Sequence, residues 1–306
     1  MKDTRQRDLE THAVHAWRVI NYETGGVTPS IVLTTTFERD PQGEMLNDYV
    51  YTRDGNPNRQ ALETSINTLE NGGNAFVFAS GMAAANAIVQ SLSAGDHIIL
   101  SDDVYHGVRN LMDRIMVRWD IDVDIIDLQD EIRFKETLRA DTKLVWAETP
   151  SNPQLKIVDL EMVADRAHRV GALCVVDNTW STPIIQKPFD FGADIILYST
   201  TKYYGGHSDA LGGALVLRDG LDETVVEKIH DVQYLAGSVP APFDCWLILR
   251  SISTMPLRVR QQSANAMQLA QFLSDHPRVD TVLYPGLEEH PNHHIAAKQM
   301  TGGYGG

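Results

Sequence analysis

The rhythm of short apolar runs constrains this fold more than any other feature of the sequence. Ala75 to Ala79, His97 to Leu100, Val123 to Ile126, Leu144 to Ala147, Leu173 to Val176 and Ile195 to Tyr198 alternate with stretches of helical character. Runs this short, separated by enough chain for a helix, point to crossover units on a mostly parallel sheet flanked by helices, an α/β fold. In open sheets of this kind, ligands collect outside the carboxyl ends of the strands. Ser80, Asp177 and Ser199 each stand just after an apolar run, where that rule places a site.

The flanking regions read differently. Residues up to about Asp48 are irregular, with Gly25-Gly26 and Pro29 as breakers, and suggest an extended arm over 1–50. Asn58 is expected to cap a helix whose apolar positions Leu62, Ile66 and Leu69 recur at helical spacing, with Gly72-Gly73 as its stop. The α/β domain would then run over 51–245. A helical region starts near Val225, Pro240-Ala241-Pro242 breaks it, and Trp246 opens what reads as one long helix through Leu273. A smaller second domain would begin there, over 246–306, with Val279 to Tyr284 as one strand of a small sheet.

At 306 residues, with 43% hydrophobic and 22% charged residues, the chain can bury a large core and a smaller one. The opening Met1 to Asp8 leads into no apolar stretch, and no long uncharged run suits a membrane span, so a cytoplasmic location is expected. Cys174 and Cys245 are the only cysteines, each among apolar or aromatic neighbours, which fits core positions in a reducing compartment. A formal net charge of −15 argues against a nucleic-acid partner, because neutralising phosphates needs a basic face.

Three elements carry chemistry. Lys202 lies in Tyr198-Ser199-Thr200-Thr201-Lys202-Tyr203-Tyr204-Gly205-Gly206-His207-Ser208-Asp209, where an apolar strand delivers an amine flanked by hydroxyls into a glycine turn. Partial desolvation there would favour the neutral, nucleophilic amine of a Schiff-base lysine. Asp177 ends the apolar run Leu173 to Val176, the place of a carboxylate that pairs with the pyridinium nitrogen of pyridoxal phosphate (PLP). An Asp there also serves as a turn or helix cap. Ala75 to Ala85 runs from a strand through Ser80-Gly81 into a strong helix former, so Ser80 can cap while free amides point at a phosphate.

With these elements the chain resembles the PLP-dependent trans-sulfuration enzymes, the group of cystathionine γ-synthase, cystathionine β-lyase, cystathionine γ-lyase and methionine γ-lyase. The resemblance spans nearly the whole chain. It rests on Tyr51-Thr52-Arg53 with Asn56-Pro57, Ser80 to Ala84, Glu148-Thr149-Pro150-Ser151-Asn152-Pro153, Asp177-Asn178-Thr179, and Ser199 to Tyr203 with Gly205 to Asp209. It implies the aspartate aminotransferase-like fold (fold type I) of PLP-dependent transferases and an amino-acid substrate. It also implies that Lys202 is both cofactor anchor and acid/base, that Asp177 faces the ring nitrogen, and that Tyr105 lies flat on the ring. Gly81 and Met82 would offer backbone amides to the phosphate, Ser199 and Thr201 their hydroxyls, and Asn152 would contact the phenolic oxygen. Tyr51 and Arg53 match a pair that crosses a subunit boundary to hold the neighbour's phosphate, with Tyr51 also suited to proton transfer. A homodimer or homotetramer with shared active sites follows from that.

Within the group, Asn56-Pro57-Asn58-Arg59 and the paired glycines resemble γ-synthases, while Trp180 resembles bacterial β-lyases. The main expectation is γ-replacement on an activated homoserine by cysteine, with β-lyase or γ-lyase cleavage of a carbon–sulfur bond as the alternative. Family members continue beyond the glycine-rich stretch Gly302 to Gly306, so the C-terminal domain is expected to be incomplete, without an arginine for the substrate carboxylate. A cofactor-binding or oligomerising remnant is therefore the non-enzyme alternative. Asn58 stands where Thr is usual, and Ser251 where the family has glycine. No metal is expected, since the run His290, His293, His294 includes a proline and lacks a Cys or Asp at ligand spacing.

Overall fold

The structure, a computed structural model, describes residues 8–16, 20, 21 and 24–306. Met1 to Arg7, which open the arm, lie outside them. In chain order the elements begin with α1 (Leu9–His15), α2 (Pro57–Glu70), β1 (Asn74–Phe78), α3 (Gly81–Gln90), β2 (His97–Ser101) and α4 (His106–Arg114). There follow β3 (Asp122–Ile126), α5 (Glu131–Thr137), β4 (Thr142–Glu148), α6 (Leu160–Arg169), β5 (Leu173–Asp177), α7 (Thr182–Ile185) and β6 (Ile195–Tyr198). The chain continues with β7 (Gly213–Leu217), α8 (Glu223–Leu235), α9 (Pro242–Ile252), α10 (Met255–Ser274) and α11 (His293–Gln299). The strands are mostly parallel and flanked by helices, as the alternation of runs implied. No described helix is long and apolar enough to cross a membrane.

Two compact units form. The first is Met1–Ala87 with Ser199–Pro256. In it β1 pairs antiparallel with β7 from Asn74↔Leu217 to Phe78↔Gly213, and α2 packs on β1 and α9 through the buried Leu62, Ile66 and Leu69. The second unit is Ile88–Tyr198 with Leu257–Gly306. Its five strands run parallel in the order β6-β5-β4-β2-β3. The inner strands are buried on both faces, which is why β4 and β5 read as continuous apolar runs. Val145, Ala147, Cys174 and Val176 pack there against Leu160, Val163 and Ala167 of α6 and Phe134 of α5. The aspartates Asp130 and Asp159 cap α5 and α6, accepting from Arg133 N at 3.0 Å and Met162 N at 3.2 Å.

Several sequence expectations are corrected. The arm is not wholly irregular, since Leu9–His15 is helical. Asn56, not Asn58, caps α2: it is extended (φ −146), accepts from Asn58 N at 2.9 Å, and is followed by Pro57 at the first helical position. Asn58 is buried and binds the arm instead, donating to Ser30 O at 2.9 Å and accepting from Val32 N at 2.8 Å. Its amide offers a donor and an acceptor together, much as a neighbouring strand does. The stop of α2 comes before the glycines, at Asn71 in the left-handed conformation (φ 57). The long helix is two helices, interrupted at Ser253-Thr254, and α9 already begins at Pro242.

Val279 to Tyr284 forms no strand. Tyr284 packs with Ala270 of α10 and Leu287, and donates its hydroxyl to Gly305 O at 2.9 Å. This segment is held by side chains rather than by a ladder. β7, hidden in the sequence behind Gly212-Gly213, is the strand the apolar rhythm missed.

Candidate active site

In the first unit, the turn after β1 presents the start of α3. Ser80 Oγ accepts from Ala83 N at 3.0 Å, fulfilling its expected role as cap. The amides of Gly81 and Met82 precede it and, in the first turn, have no acceptor within the helix. An added Cβ on Gly81 would lie 3.1 Å from Ser199 Cβ and 3.2 Å from Ser199 Oγ, so any larger residue would crowd that hydroxyl. Gly213 of β7 closes on the same turn from another side, where an added Cβ would meet Ser80 O at 2.3 Å.

The Lys202 turn is fixed by its own backbone. Lys202 N donates to Ser199 O at 3.1 Å, Gly205 N to Thr200 O at 2.8 Å and Gly206 N to Lys202 O at 2.7 Å. Gly206 is left-handed (φ 70), which lets the chain turn back here. Thr201 is engaged with Gly212: its Oγ1 accepts from Gly212 N at 3.1 Å and donates to Gly212 O at 3.2 Å. Lys202 is exposed, so the expected partial desolvation is not provided by packing; the residue lies in a turn rather than in a buried strand.

Tyr51 and Arg53 are brought together. The Arg53 guanidinium lies 5.7 Å from the Tyr51 ring centroid and 4.9 Å from that of Tyr234, and Nη1 donates to Tyr234 O at 3.0 Å. Arg59, named in the sequence only as part of a pattern and given no role, holds this turn: it is buried and donates to Thr52 O and Arg53 O, each at 3.1 Å. An arginine two positions after the Pro57 of α2 was the signal available.

In the second unit, Asp177 ends β5 as expected and is 8% exposed. Its Oδ1 accepts from Thr179 N at 3.0 Å. Beside it in register stands Glu148, the last residue of β4 and 7% exposed. Burial, then the neighbouring Asp177, pushes Glu148 up to about 9, while burial pushes Asp177 up to about 6. Glu148, named in the sequence only as the start of the Glu148 to Pro153 motif and given no role, follows the apolar run Leu144 to Ala147 just as Asp177 follows Leu173 to Val176. Its Oε2 accepts from Tyr105 N at 2.7 Å. Tyr105, the residue before α4, is 42% exposed, and its ring lies 4.4 Å from that of His106, centroid to centroid. Asn152 is exposed in the loop after β4, and its backbone N–H also reaches Glu148. Beneath these groups, buried Asn178 donates to Tyr198 OH at 2.7 Å and Gln186 O at 3.1 Å.

Two histidines of the C-terminal run contact backbone carbonyls. His290 Nε2 meets Leu155 O at 3.1 Å, and His293 Nδ1 meets Pro285 O at 2.8 Å.

Comparison with known proteins adds three relatives. A probable cystathionine gamma-synthase of Herpetosiphon aurantiacus is 42% identical over 296 residues, 97% of this chain and 91% of that protein. A cystathionine beta-lyase of Coxiella burnetii is 41% identical over 299 residues, 97% of this chain and 76% of that protein. The crystal structure of metB from Corynebacterium glutamicum superposes with a TM-score of 0.95 at 38% identity, over 99% of this chain and 78% of that one. The family described as Cys/Met metabolism PLP-dependent enzyme matches residues 10–305. With strand order, lysine turn and capped glycine turn all in place, the chain belongs to the Cys/Met metabolism PLP-dependent enzyme family.

Proposed function

We propose that this chain is a cystathionine γ-synthase, which replaces the γ-substituent of an activated homoserine with the thiol of cysteine. The observation that carries this reading is the 42% identity to a probable cystathionine gamma-synthase across 97% of the chain. The Asn56-Pro57-Asn58-Arg59 start of α2 supports it from the sequence.

The residues present fit PLP, the cofactor of the family. The space that a Cβ on Gly81 would fill lies beside first-turn amides and the Ser199 hydroxyl, a donor set suited to a phosphate. Gly81, Met82, Ser199 and Thr201 would hold the phosphate, with Thr201 turning its hydrogen away from Gly212. Arg53 adds a planar fork that suits the same group. Asp177 supplies a buried carboxylate for the ring nitrogen, Tyr105 an aromatic face for the ring, and Asn152 an amide for the phenolic oxygen. When bound, PLP supplies an electron sink that stabilises negative charge at the substrate α-carbon.

The chain's own groups then divide the work. Lys202 would hold the cofactor through its amine, and as a free amine beside the bound substrate it would take the α-proton. In γ-replacement the same amine next moves a proton at the β-carbon, so one base serves two adjacent positions. Tyr51 assists at the substrate amine. Tyr51 and Arg53 would act on the site of a neighbouring copy, which makes the active unit at least a dimer. A cystathionine β-lyase is the second reading, favoured by Trp180 and by the Coxiella burnetii relative.

The two are separated by assay. Purified protein with PLP is given O-succinylhomoserine plus cysteine, and separately cystathionine. Cystathionine formed from the first pair supports the synthase. Homocysteine and pyruvate from cystathionine alone, with no synthesis, would replace it with the lyase.

A further inference from the structure

Two loops of the second unit carry the groups assigned to the cofactor ring, and carboxyls of each fasten the other. From the loop before α4, Asp103 Oδ2 accepts from Ser151 Oγ at 2.5 Å and from Gln154 N at 3.2 Å. From the end of β4, Glu148 accepts from Tyr105 N at 2.7 Å and from the backbone of Asn152. The result is a reciprocal clasp across the Tyr105 and Asn152 loops. Neither contact uses the ring of Tyr105 or the side chain of Asn152, so both remain available.

Glu148 also stands in register with Asp177, both almost fully buried. Two adjacent carboxyls with so little water cannot both hold charge, and the proton goes to the one whose surroundings favour the anion least. Asp177 presses on Glu148, and Asp103 adds to that pressure. The cations nearby on these loops are committed elsewhere: Lys156 bonds Asp102 at 2.7 Å and Asp127 at 3.5 Å, and Arg109 donates to Asp102 O. Burial and then Asp177 push Glu148 up to about 9, whereas Asp177, raised by burial but held down by its hydrogen bonds from Thr179, reaches only about 6, in agreement with this order.

We propose that Glu148 is a positioning residue: it keeps the proton of the carboxyl pair, leaves the negative charge on Asp177, and fixes the backbone of Tyr105 and Asn152. This rests on the assignment of Asp177 and Tyr105 to the cofactor ring. A neutral Glu148 offers a carbonyl oxygen to Tyr105 N–H and places no second charge beside Asp177. Glutamine reproduces that neutral shape, whereas alanine leaves a buried donor without an acceptor.

The test compares wild type, Glu148→Gln, Glu148→Ala and Asp177→Asn. PLP dissociation constants are measured by equilibrium dialysis, and the circular dichroism of bound PLP reports the ring's surroundings. Glu148→Gln should bind PLP within about threefold of wild type and keep its dichroism, while Glu148→Ala binds about tenfold or more weakly and loses it. The infrared spectrum of the wild-type protein at neutral pH should show a protonated carboxyl band that disappears above the Glu148 titration, and this needs no folded variant. Wild-type behaviour of Glu148→Ala, equal damage from both Glu148 variants, or absence of that band would overturn the proposal. If Asp177→Asn leaves PLP affinity unchanged, the assignment of Asp177 fails instead, so the two failures are distinguishable.

Discussion

Replacing Gly213 with alanine asks whether the start of β7 shapes the turn that presents α3. The new Cβ would lie 2.3 Å from Ser80 O, 2.6 Å from the Ser80 carbonyl carbon and 2.8 Å from Gly81 Cα. All three are backbone atoms, so no flexible side chain can yield. Comfortable carbon contacts begin at about 3.5 Å, so the turn must move by roughly 1 Å. Overpacking of this kind costs about 1–3 kcal/mol. At roughly 2–4 °C per kcal/mol for proteins somewhat smaller than this one, the melting midpoint falls by a few degrees. Binding suffers more, because the shift carries the Gly81 and Met82 amides away from a bound anion. Losing one hydrogen bond to a charged group is worth about 1.5–3 kcal/mol, or about a 10- to 150-fold weaker hold on PLP. Gly220→Ala is the control: its Cβ meets nothing within 4 Å, but its φ is +69, so it costs about 1–2 kcal/mol of backbone strain and should leave PLP affinity alone. Thermal melts and equilibrium dialysis on both variants give the answer. If Gly213→Ala loses stability like Gly220→Ala and still binds PLP as wild type does, the cradle argument is refuted.

Further expectations concern charge and assembly. Glu148 and Asp177 both have folded-state pKa values above their unfolded ones, so the folded chain holds extra protons between about 3.8 and about 9. Stability is therefore fully present below that window and declines as pH rises through it, at up to about 1.4 kcal/mol per pH unit for one proton. Glu148→Gln should flatten this decline in urea unfolding measured across the window, and an unchanged slope would contradict the assignment of the proton to Glu148. Separately, mixing Lys202→Ala with Arg53→Ala should restore turnover that neither variant has alone, since mixed dimers would rebuild one intact site. No recovery on mixing, together with a fully active monomer in sedimentation, would remove the shared-site reading.

Much of this was legible in the sequence because parallel strands buried on both faces leave unbroken apolar runs. Leu173 to Val176 and Leu144 to Ala147 announced β5 and β4, and each run ended on the carboxylate that now occupies the strand end. β7 was harder, since Gly212-Gly213 looks like turn chemistry until the close approach to Ser80 is seen. Val279 to Tyr284 misled in the opposite sense: its apolar residues are held by Tyr284, Leu287 and Ala270 rather than by a partner strand. The candidate site residues could be proposed one at a time from strand ends and motifs. The supports could not, because Glu148, Asp103 and Arg59 act on backbone groups of other loops, and such pairings leave no periodic trace. Asn56 and Asn58 show the same limit, as two equally good capping residues whose roles were decided by Ser30 and Val32 far upstream.

The most direct measurement is to load the purified chain with PLP, reduce it with borohydride, and locate the added mass by peptide analysis, with cystathionine formation from O-succinylhomoserine and cysteine followed on an unreduced sample. The expected result is a single adduct on the peptide containing Lys202, absent in Lys202→Ala, with cystathionine produced. An adduct on another lysine, or trapping that survives Lys202→Ala, would contradict the account at its centre.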